Sequence, residues 1–207
     1  MLDARLRPLI DPPLNALGRR LARAGLSANM LTLFGIALGL AAGGAIAHGY
    51  FFVGLALVLA NRLLDGLDGA VARATRLTDF GGYLDIVGDF VFYVAVPLGF
   101  ALAAPANALP AAVLIASFTL TGVSFLAFAT LAAKQGFETD AHGKKSFFYN
   151  TGLAEGTETI AAFVAMCLWP AAFALIAWIY SAACILTVIQ RTVIARRVFQ
   201  HRSDDHG

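Results

Sequence analysis

The sequence predicts an all-α integral membrane protein with six transmembrane helices and an N-terminal amphipathic helix at the membrane interface. Of its 207 residues, 59% are hydrophobic and 14% are charged, and the mean hydropathy of +0.74 lies outside the range of soluble domains. Apolar runs long enough to cross a hydrocarbon core of about 30 Å occur repeatedly along the chain. The basic residues collect in alternate connections between these runs, as in multi-pass membrane proteins.

The first predicted element is a juxtamembrane segment, residues 1–28, in which arginines alternate with spaced Leu and Ile residues. It lacks the continuous apolar stretch and the small-residue cleavage site of a signal peptide. We expect an amphipathic helix in the membrane interface, interrupted near Pro12 and Pro13 because proline removes a donor from the helical hydrogen-bond ladder. A disordered basic tail is the alternative.

The six apolar runs follow as one transmembrane domain over residues 29–194, and a cytoplasmic tail covers residues 195–207. Cys167 and Cys184 are isolated within these runs, so the sequence supports neither a disulfide framework nor a zinc site. The predicted spans are 29–48, 50–73, 81–103, 108–132, 153–169 and 171–194.

The basic residues predict the orientation, because Lys and Arg accumulate on the cytoplasmic side of a membrane. Fourteen of the fifteen fall on one face: before the first span, at the end of the second or sixth span or beyond it, or in the fourth–fifth connection. Both termini and the connections at 74–80 and 133–152 are therefore expected in the cytoplasm. A basic face favours anionic membrane lipids and anionic substrates, and we expect no nucleic-acid partner. The fifteenth basic residue, Arg62, lies inside the second span.

Four aspartates inside the second and third spans are the main functional candidates, because an ionisable group within a membrane is costly. Asp65 and Asp68 differ by about 60° around one helix, and Asp85 and Asp89 differ by about 40° around the next. Each pair therefore shares a helix face. Since the two helices are consecutive and antiparallel, all four carboxylates can meet at one depth just inside the cytoplasmic boundary.

A cluster of four carboxylates needs bound cations or protons, because ionised carboxylates repel one another strongly in a low dielectric. Oxygen ligands without nearby Cys or His favour a hard ion such as Mg²⁺, Mn²⁺ or Ca²⁺. Mg²⁺ is commonly held by a few carboxylates together with substrate phosphates, which predicts a phosphate-containing substrate. Nearby glycines either give a ligand clearance or allow close helix packing: Gly66, Gly69, Gly81 and Gly82.

The aspartates belong to a longer pattern with fixed spacing, Asp65-xx-Asp68-Gly69-xx-Ala72-Arg73 followed by Gly81-xxx-Asp85-xxx-Asp89. This pattern resembles the signature of the CDP-alcohol phosphotransferases, or CDP-alcohol phosphatidyltransferases, membrane enzymes that make phospholipids from a CDP-linked donor. The stretch SANMLTLFG at 27–35 is similar to the start of the family's first helix. The interval of seven residues between Arg73 and Gly81 is short for the family and removes no ligand.

The resemblance implies roles for these residues. Asp89 would be the general base, and it would complete the environment of the second of two Mg²⁺ or Mn²⁺ ions. The other metal ligands would be Asp65, Asp68 and Asp85. Residues of the nucleotide and diphosphate pocket would be Gly69, Ala72, Arg73 and Gly81. The resemblance also makes the six-helix domain catalytic and implies a homodimer.

The implied reaction moves a phosphatidyl group from a CDP-alcohol, with CDP-diacylglycerol as the first candidate, to a small alcohol, and CMP is released. Metal ions would neutralise the diphosphate and clamp the attacking and leaving oxygens, while a carboxylate takes the alcohol proton. The alternative is a membrane transporter that uses the same carboxylates for a divalent cation or protons. Transporter sites lie near the midplane between repeats, whereas this site lies toward one face and the motif has no second copy.

The acceptor alcohol stays open among the glycerol 3-phosphate, serine, choline and inositol types. Phe90 follows Asp89 where members that make phosphatidylglycerophosphate typically have lysine. The stretch LDIVGDFVFYVAVP is more similar to bacterial phosphatidylcholine synthases and, less closely, to phosphatidylserine synthases. The whole chain looks most like small bacterial members of the family with an unassigned acceptor, which implies a bacterial inner membrane.

Glu155 and Glu158 would line the cavity and bind Arg62 or a polar or cationic acceptor. The candidate acceptor residues are Glu155, Glu158, Arg62, Lys144, Lys145 and Arg191. The alternatives are structural: first-turn acids suit a helix dipole, and basic residues near the headgroups act as positive-inside anchors.

Overall fold

A computed structural model of the chain describes residues 3–134 and 152–201, which form seven α-helices and contain no strand. Short 3₁₀ turns at Pro105–Asn107 and Pro170–Ala172 precede the fifth and seventh helices. The helices are α1 (Asp3–Arg23), α2 (Ala28–Ala47), α3 (Phe51–Ala74), α4 (Asp79–Ala103), α5 (Ala108–Lys134), α6 (Gly156–Leu168) and α7 (Phe173–His201).

Four helices of the described ranges are long and apolar enough to cross a membrane, namely α2, α4, α5 and α7. The apolar helix α6 has 13 residues and a length of about 20 Å, shorter than a hydrocarbon core. Helix α3 has 24 residues, but four charged side chains interrupt its apolar character. The all-helical membrane fold is confirmed, while the number of six crossings stays a prediction.

Helix α1 is continuous from Asp3 to Arg23 with three prolines inside it, so the predicted interruption near Pro12 and Pro13 is wrong. The backbone angle that proline imposes fits a helix, and packing against α3 offsets the lost hydrogen bonds. A Cβ atom added at Gly18 would lie 2.6 Å from the Cβ of Ala70, which shows how closely the two helices approach. The N-terminal helix is therefore part of the folded bundle.

Helix α2 is the central element of the N-terminal half, because both α3 and α4 pack against it. Two glycines make the contact with α4 very close: a Cβ atom at Gly43 would overlap the carbonyl of Ala95, and one at Gly99 would overlap the carbonyl of Gly43. Small residues permit this backbone-to-backbone packing between membrane helices. Consequently α2 fixes how the polar faces of α3 and α4 are placed.

An aromatic core joins α4 to the C-terminal helices. The buried ring of Phe92 lies 5.4 Å from that of Phe163 on α6, and Phe118 on α5 lies 5.9 Å from both Phe163 and Tyr180. Edge-to-face pairs of this kind contribute about 0.5–1.5 kcal/mol each beyond their buried area. Helix α4 thus contacts α2 on one side and the C-terminal helices on another.

Candidate active site

The four aspartates line one small cavity where α2, α3 and α4 meet: Asp65, Asp68, Asp85 and Asp89. Its volume is about 10 Å³, roughly the room for one water-sized species. The structure therefore brings together the carboxylates that helix periodicity places on two faces. Helix α2 closes the cavity with Thr32, Gly35 and Ile36.

Asp68 is the most deeply buried member of this carboxylate cluster, with 5% of its surface exposed. The hydroxyl of Thr32 on α2 donates a hydrogen bond of 2.7 Å to its Oδ2 atom. A charge-assisted bond of this length is among the stronger side-chain hydrogen bonds in proteins. Thr32 therefore fixes the orientation of Asp68 from a helix that carries none of the four aspartates.

Arg62 lies among the aspartates, with 12% of its side chain exposed. Its Nη1 atom donates to Oδ1 of Asp89 at 2.8 Å, and its Nη2 atom is 3.6 Å from Oδ1 of Asp65. The guanidinium also lies over the ring of Phe92, 4.3 Å from the centroid. The candidate acceptor residue Arg62 is thus placed as the counter-charge of the carboxylate cluster.

The donor atoms of the cluster suit a hard divalent cation, because they are carboxylate oxygens from two helices and one cation, Arg62, already lies between two of them. No three Asp, Glu, His or Cys side chains within 3–134 and 152–201 converge as ready ligands for one ion. The residues present therefore fit the predicted metal in the chemistry of their donor atoms, which are oxygens from four carboxylates lining one cavity.

A second cavity of about 270 Å³ adjoins the cluster and shares Thr32, Asp68 and Asp85 with it. All four residues predicted for the donor pocket line this second cavity, namely Gly69, Ala72, Arg73 and Gly81. Asn29 and Arg76 also line it, and sequence analysis did not include them. No local pattern marks these two residues, because their place depends on how α2 and the α3–α4 connection meet.

Arg73 in this donor cavity is held by the N-terminal helix. Its Nε and Nη2 atoms both donate to the side-chain oxygen of Asn15, at 3.3 and 3.1 Å. Asn15 is 58 positions away in sequence, so only the tertiary contact between α1 and α3 reveals it. The glycine at position 69 leaves room for this guanidinium, since a Cβ atom there would lie 3.2 Å from Nη1 of Arg73.

A third cavity of about 320 Å³ lies on the other side of Asp89, among α4, α5, α7 and the start of α6. Two of the candidate acceptor residues, Glu155 and Arg191, line it. Glu158 and Arg62 do not line it, and Lys144 and Lys145 lie outside the described residues. Asp89 therefore borders both the carboxylate cluster and this third cavity.

Arg191 is held in the third cavity by α5. Its Nη1 atom donates to the carbonyl of Thr121 and to the hydroxyl of Ser124, both at 2.7 Å, and its guanidinium lies 5.5 Å from the ring of Phe125. Glu155 accepts a hydrogen bond of 3.0 Å from the backbone N–H of Gly152. Opposite charges thus face the same cavity.

The segment before α6 is attached to α7 through Thr187. The hydroxyl of this buried residue accepts hydrogen bonds from the backbone N–H groups of Leu153 and Ala154, at 3.0 and 3.1 Å. Glu155 follows directly, so its position beside the cavity depends on this contact. Sequence analysis did not identify Thr187, because a single threonine in an apolar helix gives no local signal.

A helical membrane bundle with clustered intramembrane carboxylates and adjoining polar cavities defines a class of membrane protein with a buried polar site. The model of the CDP-alcohol phosphatidyltransferase family matches residues 26–190. The chain belongs to this family, and the resemblance inferred from the spacing of the aspartates is confirmed. Members of the family are transferases of phospholipid synthesis.

Two curated relatives extend this result. Inner membrane protein YnjF of Escherichia coli (strain K12) is 51% identical over 192 residues, which cover 92% of this chain and 93% of the relative. Archaetidylinositol phosphate synthase of Pyrococcus horikoshii is 35% identical over 101 residues, or 48% of this chain and 53% of the relative.

Two crystal structures of Mycobacterium tuberculosis phosphatidylinositol phosphate synthase (PgsA1) have the same fold. The structure with CDP-DAG bound has a TM-score of 0.63 at 23% identity, covering 88% of this chain and 93% of that chain. The structure in complex with manganese and citrate has a TM-score of 0.61 at 22% identity, covering 88% of each chain. At this level of identity the likeness concerns the fold.

Proposed function

We propose that this protein is a metal-dependent phosphatidyltransferase of the bacterial inner membrane. It transfers a phosphatidyl group from CDP-diacylglycerol to a small polar alcohol and releases CMP. One observation supports this most strongly: the aspartates connect three adjoining cavities. Asp68 and Asp85 are shared between the carboxylate cluster and the donor cavity, and Asp89 is shared between the cluster and the third cavity.

The donor would bind with its diphosphate beside Asp68 and Asp85 and its nucleotide in the cavity that contains Arg73. The guanidinium groups of Arg73 and Arg76 supply positive charge for phosphate oxygens. Asn15 fixes Arg73, so α1 contributes to donor binding without touching the reacting atoms. Two structural neighbours support the choice of donor and cofactor, since one has CDP-DAG bound and the other is in complex with manganese and citrate.

The acceptor would bind in the third cavity, with its hydroxyl toward Asp89. Asp89 takes the hydroxyl proton while the alcohol oxygen forms a bond to the β-phosphorus of the donor. The bond from that phosphorus to the CMP oxygen breaks, and the electron pair leaves with CMP. A pair of Mg²⁺ or Mn²⁺ ions held by the four aspartates would supply electrostatic stabilisation of the diphosphate.

The third cavity offers both signs of charge to an acceptor, with Arg191 for an anionic group and Glu155 for hydroxyl or ammonium donors. Phosphorylated inositol belongs among the acceptors to be tested, because relatives include an archaetidylinositol phosphate synthase. Glycerol 3-phosphate, serine, choline, inositol and glycerol complete the set.

The membrane arrangement proposed with this function has six crossings and both termini in the cytoplasm. Residues 29–194 form the catalytic domain, residues 1–28 the juxtamembrane segment and residues 195–207 the tail, and the protein is a homodimer. Cysteine-accessibility labelling at the termini and cross-linking in native membranes test these statements. A monomer in membranes, or a terminus labelled from the periplasm, would contradict them.

The deciding experiment measures CMP release from CDP-diacylglycerol by purified protein, with each acceptor in turn, in Mn²⁺ or Mg²⁺ and with an EDTA control. Metal-dependent release that needs one acceptor supports the proposal and names the product. Folded protein that neither binds the donor nor releases CMP would overturn it, and the carboxylates would then be tested in divalent-cation and proton transport.

A further inference from the structure

Arg62 occupies a position that the proposed reaction does not explain. Of the basic residues within the predicted spans it lies farthest from a span end, and its guanidinium bridges Asp65 on its own helix and Asp89 on α4. The contacts with Oδ1 of each aspartate measure 3.6 and 2.8 Å. Its side chain does not line the third cavity, where an acceptor would bind.

The position of Arg62 is fixed from three sides. Its Nε atom donates to Oδ1 of Asn61 at 2.7 Å, and the amide of Asn61 donates to the carbonyl of Gly35 on α2 at 2.7 Å. The ring of Phe92 lies beneath the guanidinium at 4.3 Å and is itself fully buried. Because the neighbours anchor both its donor groups and its flat face, Arg62 is a built component of the cluster.

A divalent cation and this guanidinium would draw on the same two carboxylates. Magnesium–oxygen distances are about 2.1 Å, so an ion bound by Asp65 and Asp89 would lie within a few ångströms of a bridging guanidinium. Two cations that close in a poorly solvated site repel each other strongly. The carboxylates therefore favour one cation or the other at this position.

We propose that Arg62 is an internal counter-ion of the carboxylate cluster, and that a binding divalent cation displaces its guanidinium from Asp89 and Asp65. Arg62 is then a positioning residue that holds α3 and α4 together until the metal arrives. This inference rests on the proposed function in one respect, since it takes the aspartates to be ligands of a divalent metal.

The effect of Arg62 on the metal affinity of the site can be measured without turnover. Part of the free energy of metal binding must break the contacts of Arg62, so the guanidinium lowers the affinity of the site for metal. Removing its charge while keeping its packing against Phe92 should raise that affinity. Methionine suits this purpose, because it is unbranched, flexible and favourable beside aromatic rings.

The experiment titrates purified full-length protein with Mn²⁺ alone and measures free Mn²⁺ by electron paramagnetic resonance. Arg62→Met is expected to bind Mn²⁺ about tenfold more tightly than the wild type, and Arg62→Lys should fall between them. Arg191→Met is the matched control, another arginine with ring and hydroxyl contacts in an apolar helix, and its affinity should equal that of the wild type. Equal or weaker binding by Arg62→Met would overturn the proposal.

Thermal unfolding with and without Mn²⁺ tests the proposal if the Arg62→Met variant is less stable than the wild type. We expect the variant to unfold at a lower temperature than the wild type without Mn²⁺ and to recover when Mn²⁺ is added. A stability deficit that Mn²⁺ leaves unchanged would show a purely structural arginine and overturn the proposal.

A separate control distinguishes failure of this inference from failure of the metal site. Asp68→Asn should lose Mn²⁺ binding in both the wild-type and the Arg62→Met background. If neither wild type nor Arg62→Met binds Mn²⁺, the metal site of the proposed function is overturned together with this inference. If both bind Mn²⁺ equally and Asp68→Asn does not, only the role of Arg62 is overturned.

Discussion

The carboxylate cluster and the third cavity differ in size, packing and origin in the sequence. The cluster has a volume of about 10 Å³, and its charged residues come from a short stretch of α3 and α4. The third cavity has about 320 Å³ and collects Glu155 and Arg191 from separate C-terminal elements. The comparison indicates that local spacing determines the carboxylate cluster, whereas tertiary arrangement determines the third cavity. If the proposed function holds, changes in the third cavity would alter the acceptor while the reaction stays the same.

The largest expected effect comes from Asp89, because it borders both regions. Asp89→Asn should lower the rate of CMP release by about 10³-fold, since the amide cannot accept the alcohol proton and is a weak metal ligand. Asp79→Asn, an exposed carboxylate on the same helix, is the control and should retain near wild-type activity. Full activity in a folded Asp89→Asn protein would show that Asp89 is not the base that acts between the cluster and the third cavity.

Close packing between α2 and α4, the helix that lines both regions, should contribute to the stability of the bundle. Gly43→Ala places a methyl group against the carbonyl of Ala95, and it should cost about 1–3 kcal/mol of stability. Gly44→Ala is the adjacent control, because a Cβ atom there meets nothing within 4 Å. Thermal unfolding in detergent or nanodiscs compares the variants. Equal melting temperatures for the two would contradict the close contact.

Removing a charge from the third cavity should weaken binding of the acceptor and leave binding of the donor unchanged. Arg191→Gln and Glu155→Gln are expected to raise the KM of the acceptor about tenfold and to leave the KM of the donor nearly unchanged. The CMP-release experiment first identifies the acceptor. Steady-state kinetics with that acceptor then measures the KM of the acceptor and the KM of the donor. A rise in the donor KM alone would assign the third cavity to the donor.

The smallest expected effect lies in the donor cavity. Asn15→Ala removes two hydrogen bonds to Arg73, and it should raise the donor KM about fivefold through looser placement of the guanidinium. The acceptor KM provides the internal reference and should not change. An unchanged donor KM would show that Arg73 does not need α1 for its orientation.

The sequence was sufficient to predict the helical membrane fold, the family and the meeting of the four aspartates. Helix periodicity is a local property, so Asp65, Asp68, Asp85 and Asp89 could be assigned to faces without knowing how the helices pack. The continuity of α1 through its prolines could not be predicted, because contacts with α3 decide it. The 13-residue length of α6 was also hidden, since hydropathy does not show where its helix begins.

Contacts between side chains on different helices could not be predicted from the sequence. The spacing of Arg62 did not reveal that it pairs with Asp89, because that contact depends on α2, which supports Asn61 through the carbonyl of Gly35. Thr32 was likewise invisible as the partner of Asp68. The roles of the aspartates in metal binding and proton transfer stay predictions.

Thr78 separates a connection of this chain that can change in length from a helix that cannot. Its hydroxyl accepts the backbone N–H of Gly81 at 3.0 Å and caps α4, so the helix begins at a defined residue. The angular positions of Asp85 and Asp89 are therefore counted from Thr78 and not from Arg73. Residues can be gained or lost between Thr75 and Leu77 without rotating these carboxylates away from the cluster. One residue inserted between Thr78 and Asp85 would turn both aspartates by about 100° relative to the cap, in conflict with the packing of α4 against α2.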